Sequence, residues 1–253
     1  MLIGHALGVE RAWLGAHGEE DVDAARVGRI DSLLLRRRNG EPVAYLLGER
    51  EFYGLGFEVT PDVLIPRPET ELLIDHALAL AQPRARVLDL GTGSGAIAVA
   101  LVHERPDLSV TACDASPGAL AVAARNASRH KAAVRLVESD WFSAVEGRFD
   151  LIVANPPYIA AGDPHLAQGD LRYEPRNALE AGAGGMECIE AIATAARARL
   201  SPGWLLIEHG FDQGDRCVAL LKRLGYEDVL DHRDLAGQPR LVQGRFDPSA
   251  PPR

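Results

Sequence analysis

Lysine is nearly missing from this chain: of 253 residues only Lys131 and Lys222 carry it, and the formal net charge is -9. Nucleic-acid affinity rests mainly on phosphate neutralisation by Lys and Arg, so an acidic chain with a pI near 5.4 is poorly suited to a polyanionic partner. The one basic run, Arg36-Arg37-Arg38, ends an amphipathic stretch that starts at Ile30, which is where a solvated helix terminus favours cations. Cysteine is also scarce. Cys113, Cys188 and Cys217 are far apart and form no CxxC, which excludes a disulfide framework and a thiolate zinc site and fits a reducing compartment. The histidines show no metal spacing, so no metal is expected. No apolar run nears the roughly 18 residues of a membrane span, and the N-terminus lacks a basic region followed by a long apolar one. A cytoplasmic protein without membrane or direct nucleic-acid contact is therefore expected.

What remains is a globular chain, 47% hydrophobic, long enough for a core domain with a small partner. Apolar positions recur at helical spacing through residues 1–48. Residues 51–59 place aromatic and β-branched side chains around Gly54 and Gly56, which predicts a hairpin, and Ile65-Pro66-Arg67-Pro68 is a stiff connector. A helix is predicted over residues 70–81. Strand and helix patterns then alternate: strands at 87–90, 110–113, 134–138, 151–154 and 205–207, helices at 96–104, 118–129, 187–200 and 216–224. That alternation predicts a parallel sheet covered on both faces. The last two strands, 226–230 and 240–246, are joined by a loop too short for a crossover helix, so they should pair antiparallel. The predicted architecture is α/β, a seven-stranded, mostly parallel, doubly wound sheet. Its parts are a helical domain at 1–48, a hairpin connector at 49–68, the main domain at 69–247 and a disordered tail at 248–253.

Two motifs carry chemistry. Asn155-Pro156-Pro157-Tyr158 follows the buried strand at 151–154, at the carboxyl end where open α/β sheets bind ligands. Consecutive prolines lack N–H groups and fix an extended bend, so their carbonyls are free to face a ligand. With the amide of Asn155 and the ring of Tyr158 they form a cage for a planar group bearing NH2. The second motif, Gly91, Thr92, Gly93, Ser94 and Gly95, lies between the first strand and its helix. Asp114 ends the next strand, placed to bind the ribose of a nucleoside ligand, and Trp141 follows the third, on the adenine side. Asp89 is read as a cap of the glycine turn and His209 as a strand-end residue. NAD and S-adenosylmethionine both satisfy this turn. The Asn-Pro-Pro-Tyr cage separates them, because hydride transfer has no use for it and methylation of a planar amino nitrogen does.

The longer pattern is narrower. Pro42-Val43-Ala44-Tyr45-Leu46-Leu47-Gly48, Phe52-Tyr53-Gly54, residues 63–71 and Gln168-Gly169-Asp170 to Glu174-Pro175 resemble the peptide chain release factor glutamine methyltransferases of the HemK/PrmC type, over nearly the whole chain. The resemblance implies a class I, Rossmann-like methyltransferase domain that uses S-adenosyl-L-methionine, releases S-adenosyl-L-homocysteine and needs no metal. It implies as acceptor the glutamine of the Gly-Gly-Gln loop of class I release factors, and a small N-terminal docking domain, here with about one or two helices fewer ahead of His5 than is usual. By the same token Asn155 and the Pro156 carbonyl accept the amide hydrogens, Tyr158 flanks the amide and Pro157 holds the bend. Gly91 to Gly95, Asp114, Trp141 and Asn155 bind the cofactor, and a monomer is expected. The alternatives are a nucleic-acid amino methyltransferase acting on adenine N6 or guanine N2, and an adapter that binds S-adenosylmethionine without turnover; an oxidoreductase using NAD is a third.

Overall fold

The computed structural model describes residues 1–249. Short helices α1 (Leu2–Leu7), α2 (Arg11–Ala16), α3 (Ala24–Arg38) and α4 (Val43–Leu47) make up the N-terminal part. Asp23 starts α3 by accepting the backbone N–H of Arg26 at 3.0 Å. The three arginines sit at its negative end, where Arg36 pairs with Glu41 and Arg37 donates to the Glu41 carbonyl. The basic run is thus a helix terminus, as its position suggested. A two-residue turn at Tyr53 and Gly54, both with positive φ, joins β1 (Glu49–Phe52) to β2 (Leu55–Glu58).

The remainder alternates as the periodicity predicts: α5 (Glu71–Leu80), β3 (Arg86–Leu90), α6 (Ala96–Glu104), β4 (Ser109–Asp114), α7 (Pro117–Arg129), β5 (Val134–Glu138), β6 (Phe149–Ala154), α8 (Glu187–Arg199), β7 (Leu200–Glu208), α9 (Gly214–Arg223), β8 (Glu227–Arg233) and β9 (Pro239–Phe246). The seven strands lie in the order β5-β4-β3-β6-β7-β9-β8, with β9 antiparallel to both its neighbours and the other pairs parallel. In β3 the side chains of Val87, Leu88, Asp89 and Leu90 are all buried, because successive residues point to opposite faces and both are covered. Val87 packs into one core with Ile97 and Leu101 of α6, whereas Leu88 and Leu90 pack into another with Ile189 and Ile192 of α8. The strand read at 205–207 extends to Leu200–Glu208, since antiparallel β9 continues the ladder from Gly203 to Glu208.

Residues 155–186, between β6 and α8, fold back over the carboxyl ends of the strands as a chain of 3-10 turns, tied by the bridge from Ile159 to Glu180. Glu174 anchors this segment. Its buried carboxylate accepts the N–H of Ile65 at 3.0 Å and pairs with Arg67, both in the connector ahead of α5. On its outer side the Asn39 carbonyl, just past α3, accepts from the Tyr173 hydroxyl at 2.8 Å and from Arg172. Pro248 and Ser249, where the tail was expected to begin, form a turn capped by Asp247, and residues 250–253 lie outside the described residues.

Candidate active site

Strand order reverses beside β3: the chain runs outward through β4 and β5, then returns to β6 on the other side. Ligands of open α/β sheets bind in the crevice outside such a reversal. Leu90 pairs with Ala154, so the residues that follow, Gly91 and Asn155, leave the sheet side by side. Gly91, Gly93 and Gly95 have φ of 70°, 55° and 81°, a backbone that side chains resist. The N–H groups of Gly91 and Thr92 both donate to the Cys113 carbonyl at 2.9 Å, which pins the turn to the end of β4. The second and third glycines have different reasons. A Cβ on Gly93 would stand in open space, whereas one on Gly95 would lie 3.1 Å from Cβ of Ala123, so Gly95 lets α6 and α7 approach.

Asp114 accepts the Gly93 N–H through Oδ2 and the Ser116 N–H through Oδ1, both at 2.9 Å. A carboxylate has about four acceptor positions, so lone pairs remain for a pair of sugar hydroxyls. Trp141 has φ of 47°, and its carbonyl accepts from the Ser139 hydroxyl at 2.8 Å and from the Cys113 thiol. That backbone brings the indole over the glycine turn, 3.5 Å from the place of a Cβ on Gly91. A cavity of about 230 Å³ lies between these groups, lined by Gly91, Gly93, Asp114, Trp141, Asn155 and Pro157 among others. Open space at a positive-φ glycine, unspent carboxylate lone pairs and an aromatic wall fit an adenosyl ligand.

A smaller cavity of about 50 Å³ adjoins it, lined by Pro66, Arg67, Thr70, Thr92 and Ser94. The two share Leu64, Gly91, Gly93 and Asn155. Asn155 therefore stands at the junction. Its Nδ2 donates to Thr70 Oγ1 at 3.0 Å, while Oδ1 accepts no hydrogen bond from the described residues. Behind Thr70 lies Glu208, at the end of β7 and 2% exposed. Burial pushes its carboxyl up to about 7 against the hydrogen bond from Thr70 and the charge of Arg240. Asp89 is the matching acid under the glycine turn. Burial raises it to about 7 against the Thr92 hydroxyl, which donates to Oδ2 at 2.6 Å, and Oδ1 has no hydrogen-bond partner among the described residues. Asp89 meets the turn through that hydroxyl, while the amides of Gly91 and Thr92 go to Cys113, that of Gly93 to Asp114 and that of Gly95 to the Thr92 carbonyl.

The fold thus brings Gly91, Thr92, Gly93, Ser94, Asp114, Trp141, Asn155 and Pro157 to the walls of the two cavities. Gly95 stands behind them as a packing glycine. Pro156 is buried, with its carbonyl unbonded by the described residues. Tyr158 lines neither cavity. Its ring packs against the core beneath α8, its carbonyl accepts from Gln213 at 3.0 Å, and burial raises its phenol, with Glu208 adding to the rise. His209 is fully buried between the Gly210 carbonyl and Asp231, away from both cavities. The sequence reading missed Asp62, Leu64 and Thr70 from the connector and Asn177 and Glu180 from the 155–186 segment. Leu64 and Thr70 fall in the run 63–71 that the family resemblance rests on, whereas Asp62, Asn177 and Glu180 carried no signal of their own. Among the described residues no group of His, Cys, Asp and Glu could hold a metal ion, and no helix is long and apolar enough to cross a membrane.

Fold and site together define a class I S-adenosylmethionine-dependent methyltransferase, and residues 68–182 match the methyltransferase small domain family. A methyltransferase from Pyrococcus furiosus shares the fold, with a TM-score of 0.59 at 21% identity over 86% of this chain and 99% of that one. Residues 1–48 match the PrmC N-terminal domain family. The chain is 52% identical to the release factor glutamine methyltransferase of Bordetella pertussis, over 96% of this chain and 92% of that protein. It is 45% identical to the release factor glutamine methyltransferase of Escherichia coli, over 97% and 90% respectively. The chain belongs to the release factor glutamine methyltransferase family.

Proposed function

We propose that Asn155 and the Pro156 carbonyl form an amide clamp through which this enzyme methylates the glutamine side chain of the Gly-Gly-Gln motif in class I release factors, giving N5-methylglutamine. The observation that carries this reading is the position of Asn155 at the meeting of the two cavities, with Nδ2 turned back to Thr70 and Oδ1 left as an acceptor. A carboxamide nitrogen is a weak nucleophile because its lone pair is delocalised into the carbonyl. Bound S-adenosylmethionine supplies an electrophilic methyl group on a sulfonium leaving group. The protein's part is alignment, which in favourable systems supplies up to about 7 to 11 kcal/mol.

Asn155 Oδ1 and the Pro156 carbonyl accept the two amide hydrogens, turn the lone pair toward the methyl group and stabilise the positive charge that develops on nitrogen. Pro157 fixes the bend. Tyr158 packs behind it, and its flanking of the amide plane belongs to the same proposal. A neutral Asn suits an acceptor that becomes cationic only transiently and then loses a proton to water, since a carboxylate in the clamp itself would require desolvation. On the cofactor side Gly91 to Gly95, Asp114 and Trp141 hold the methionine, ribose and adenine portions in turn. In this reading residues 1–48 are the docking domain, 49–68 the connector and 69–247 the catalytic domain. One chain lines both cavities, so a cytoplasmic monomer is sufficient.

The test is transfer of labelled methyl from S-adenosylmethionine to a class I release factor, the same factor with its Gly-Gly-Gln glutamine replaced, tRNA, rRNA and DNA. Label is expected on the first alone. Label on nucleic acid and none on the release factor overturns the assignment.

A further inference from the structure

Glu208, Thr70 and Asn155 come from three separate elements and form one hydrogen-bonded chain beneath the acceptor cavity. Glu208 closes β7, Thr70 precedes α5, and Asn155 follows β6. Glu208 and Thr70 are 2% and 4% exposed. The Asn155 amide donates to Thr70 Oγ1 at 3.0 Å, and the Glu208 carboxyl lies against both side chains, whose polar groups favour its charged form. Its Oε2 is buried and has no hydrogen-bond partner among the described residues. Glu208 lines neither cavity, so it does not meet the acceptor.

A chain of this kind has a direction. A carboxylate only accepts, so Thr70 must spend its hydroxyl proton on Glu208 and can serve Asn155 only as an acceptor. Asn155 must then turn nitrogen inward and oxygen outward, the orientation that a glutamine amide needs to meet. A protonated Glu208 donates instead, which lets Thr70 donate to Asn155 and allows the amide to flip. We propose that Glu208 is a positioning residue of the acceptor site, whose carboxylate fixes the Asn155 amide with its oxygen toward the acceptor and places a negative charge behind the nitrogen that becomes cationic. The inference rests on the amide-clamp reading of Asn155.

The groups that face Glu208 from neighbouring elements are Glu69 beside Thr70, Arg240 on β9 and the Tyr158 phenol beyond Asn155. Arg240 favours the carboxylate, and Glu69 and burial oppose it, so ionisation falls near neutral pH.

The test compares wild-type and Glu208→Gln enzyme across pH 5.5 to 8.5 with saturating S-adenosylmethionine and release factor. Above neutrality the variant's kcat should fall about tenfold, the worth of one hydrogen bond to a charged group. The ratio of the two rates should shrink toward one as pH drops through about 7 and Glu208 protonates. Taking the ratio removes the titration of the substrates and of Asp89, which both proteins share. Affinity for S-adenosylmethionine should stay within about twofold, since the contact lies on the acceptor side. A ratio independent of pH overturns the proposal, and so does an equal loss of cofactor affinity. If Glu208→Gln does not fold, Thr70→Val breaks the same chain, and its ratio to wild type should follow the same course. Asn155→Ala separates the two levels. Full activity in that variant removes the clamp itself, whereas a slow Asn155→Ala beside a Glu208→Gln that matches wild type at every pH removes only the role of Glu208.

Discussion

The two ends of the cleft each bury an acid, and they hold it by different means. At the cofactor end Asp89 is answered by Thr92, three residues on, within one strand and its turn. At the acceptor end Glu208 is answered by Thr70 and Asn155, brought together from opposite parts of the chain. The local arrangement shapes a turn whose ligand contacts are largely backbone. The long-range one orients a single side chain. The difference teaches that the acid under the glycine turn is settled within one β-turn-α unit, while the acid behind the acceptor is settled only once the connector, β6 and β7 have all assembled.

Both acids should nonetheless appear alike in stability, and this is the largest effect expected. Burial raises Asp89 and Glu208 to about 7. The folded state therefore binds these protons more tightly than the unfolded one, so their stabilising contribution is full below the ordinary carboxylate range and is lost as pH rises through about 7. His76, lowered by burial and by its neighbour His232, works in the opposite sense but is only half-buried. Acids held low by arginines, such as Asp150 beside Arg86 at about 2, act only in a more acidic window. Urea unfolding should show stability falling by on the order of 3 kcal/mol from pH 5 to pH 8. The Asp89→Asn and Glu208→Gln variants should each reduce that slope. A flat profile would mean that neither end holds a costly buried charge, and the comparison would lose its footing.

Catalysis should separate what stability joins. Asn155→Ala is expected to lower the single-turnover methyl-transfer rate about 10²-fold, as for the loss of one preorganised polar group. Calorimetry should find S-adenosylmethionine binding weakened far less. Equal losses in both would show that the ends are not distinct. Asp114→Ala is the mirror experiment. It removes the carboxylate that fixes Gly93 and faces the sugar, so cofactor binding should weaken by about 2 kcal/mol, on the order of 30-fold. At saturating cofactor kcat should recover to within a few-fold.

This division also explains what could be read from the chain alone. Glycines at positive φ and a strand-end carboxylate state local backbone needs, so Gly91, Gly93, Gly95 and Asp114 were legible, as was the alternation that builds the sheet. Asn155 was legible because the prolines beside it have few other uses. Thr70 and Glu208 were not. A threonine before a helix reads as a cap and a glutamate after a strand as a solvated end; only the register that pairs Ala154 with Ile207 sets Glu208 beside Asn155, and only the packing of the turn before α5 brings Thr70 to the same place. The surroundings of Tyr158 were hidden for a related reason: as an aromatic in a ligand motif it reads as a wall, and nothing in the motif announces that Gln213 holds its carbonyl or that its ring packs against the core beneath α8.

The hairpin tests whether the cofactor end is as self-contained as its motif suggests. Three residues of α7 reach it, Arg125 through a partly exposed pair with Glu58 at 2.8 Å. Asn126 is fully buried, accepting the Glu58 N–H at 2.8 Å while its Nδ2 donates to the carbonyls of Glu58 and Ser94, so it ties the connector to the glycine turn. Arg129 reaches Glu49 at 2.6 Å, but the two side chains are 47% and 48% exposed. A solvent-screened pair of this kind contributes about 0 to 1 kcal/mol, so Arg129→Ala should leave the melting temperature within a degree or two and cofactor affinity unchanged. The smallness of that effect is informative. It would assign the attachment of the hairpin to the buried amide rather than to the visible ion pair, whereas a marked loss of cofactor affinity in Arg129→Ala would show that the glycine turn depends on a surface contact, and the contrast between a local cofactor end and an assembled acceptor end would have to be withdrawn.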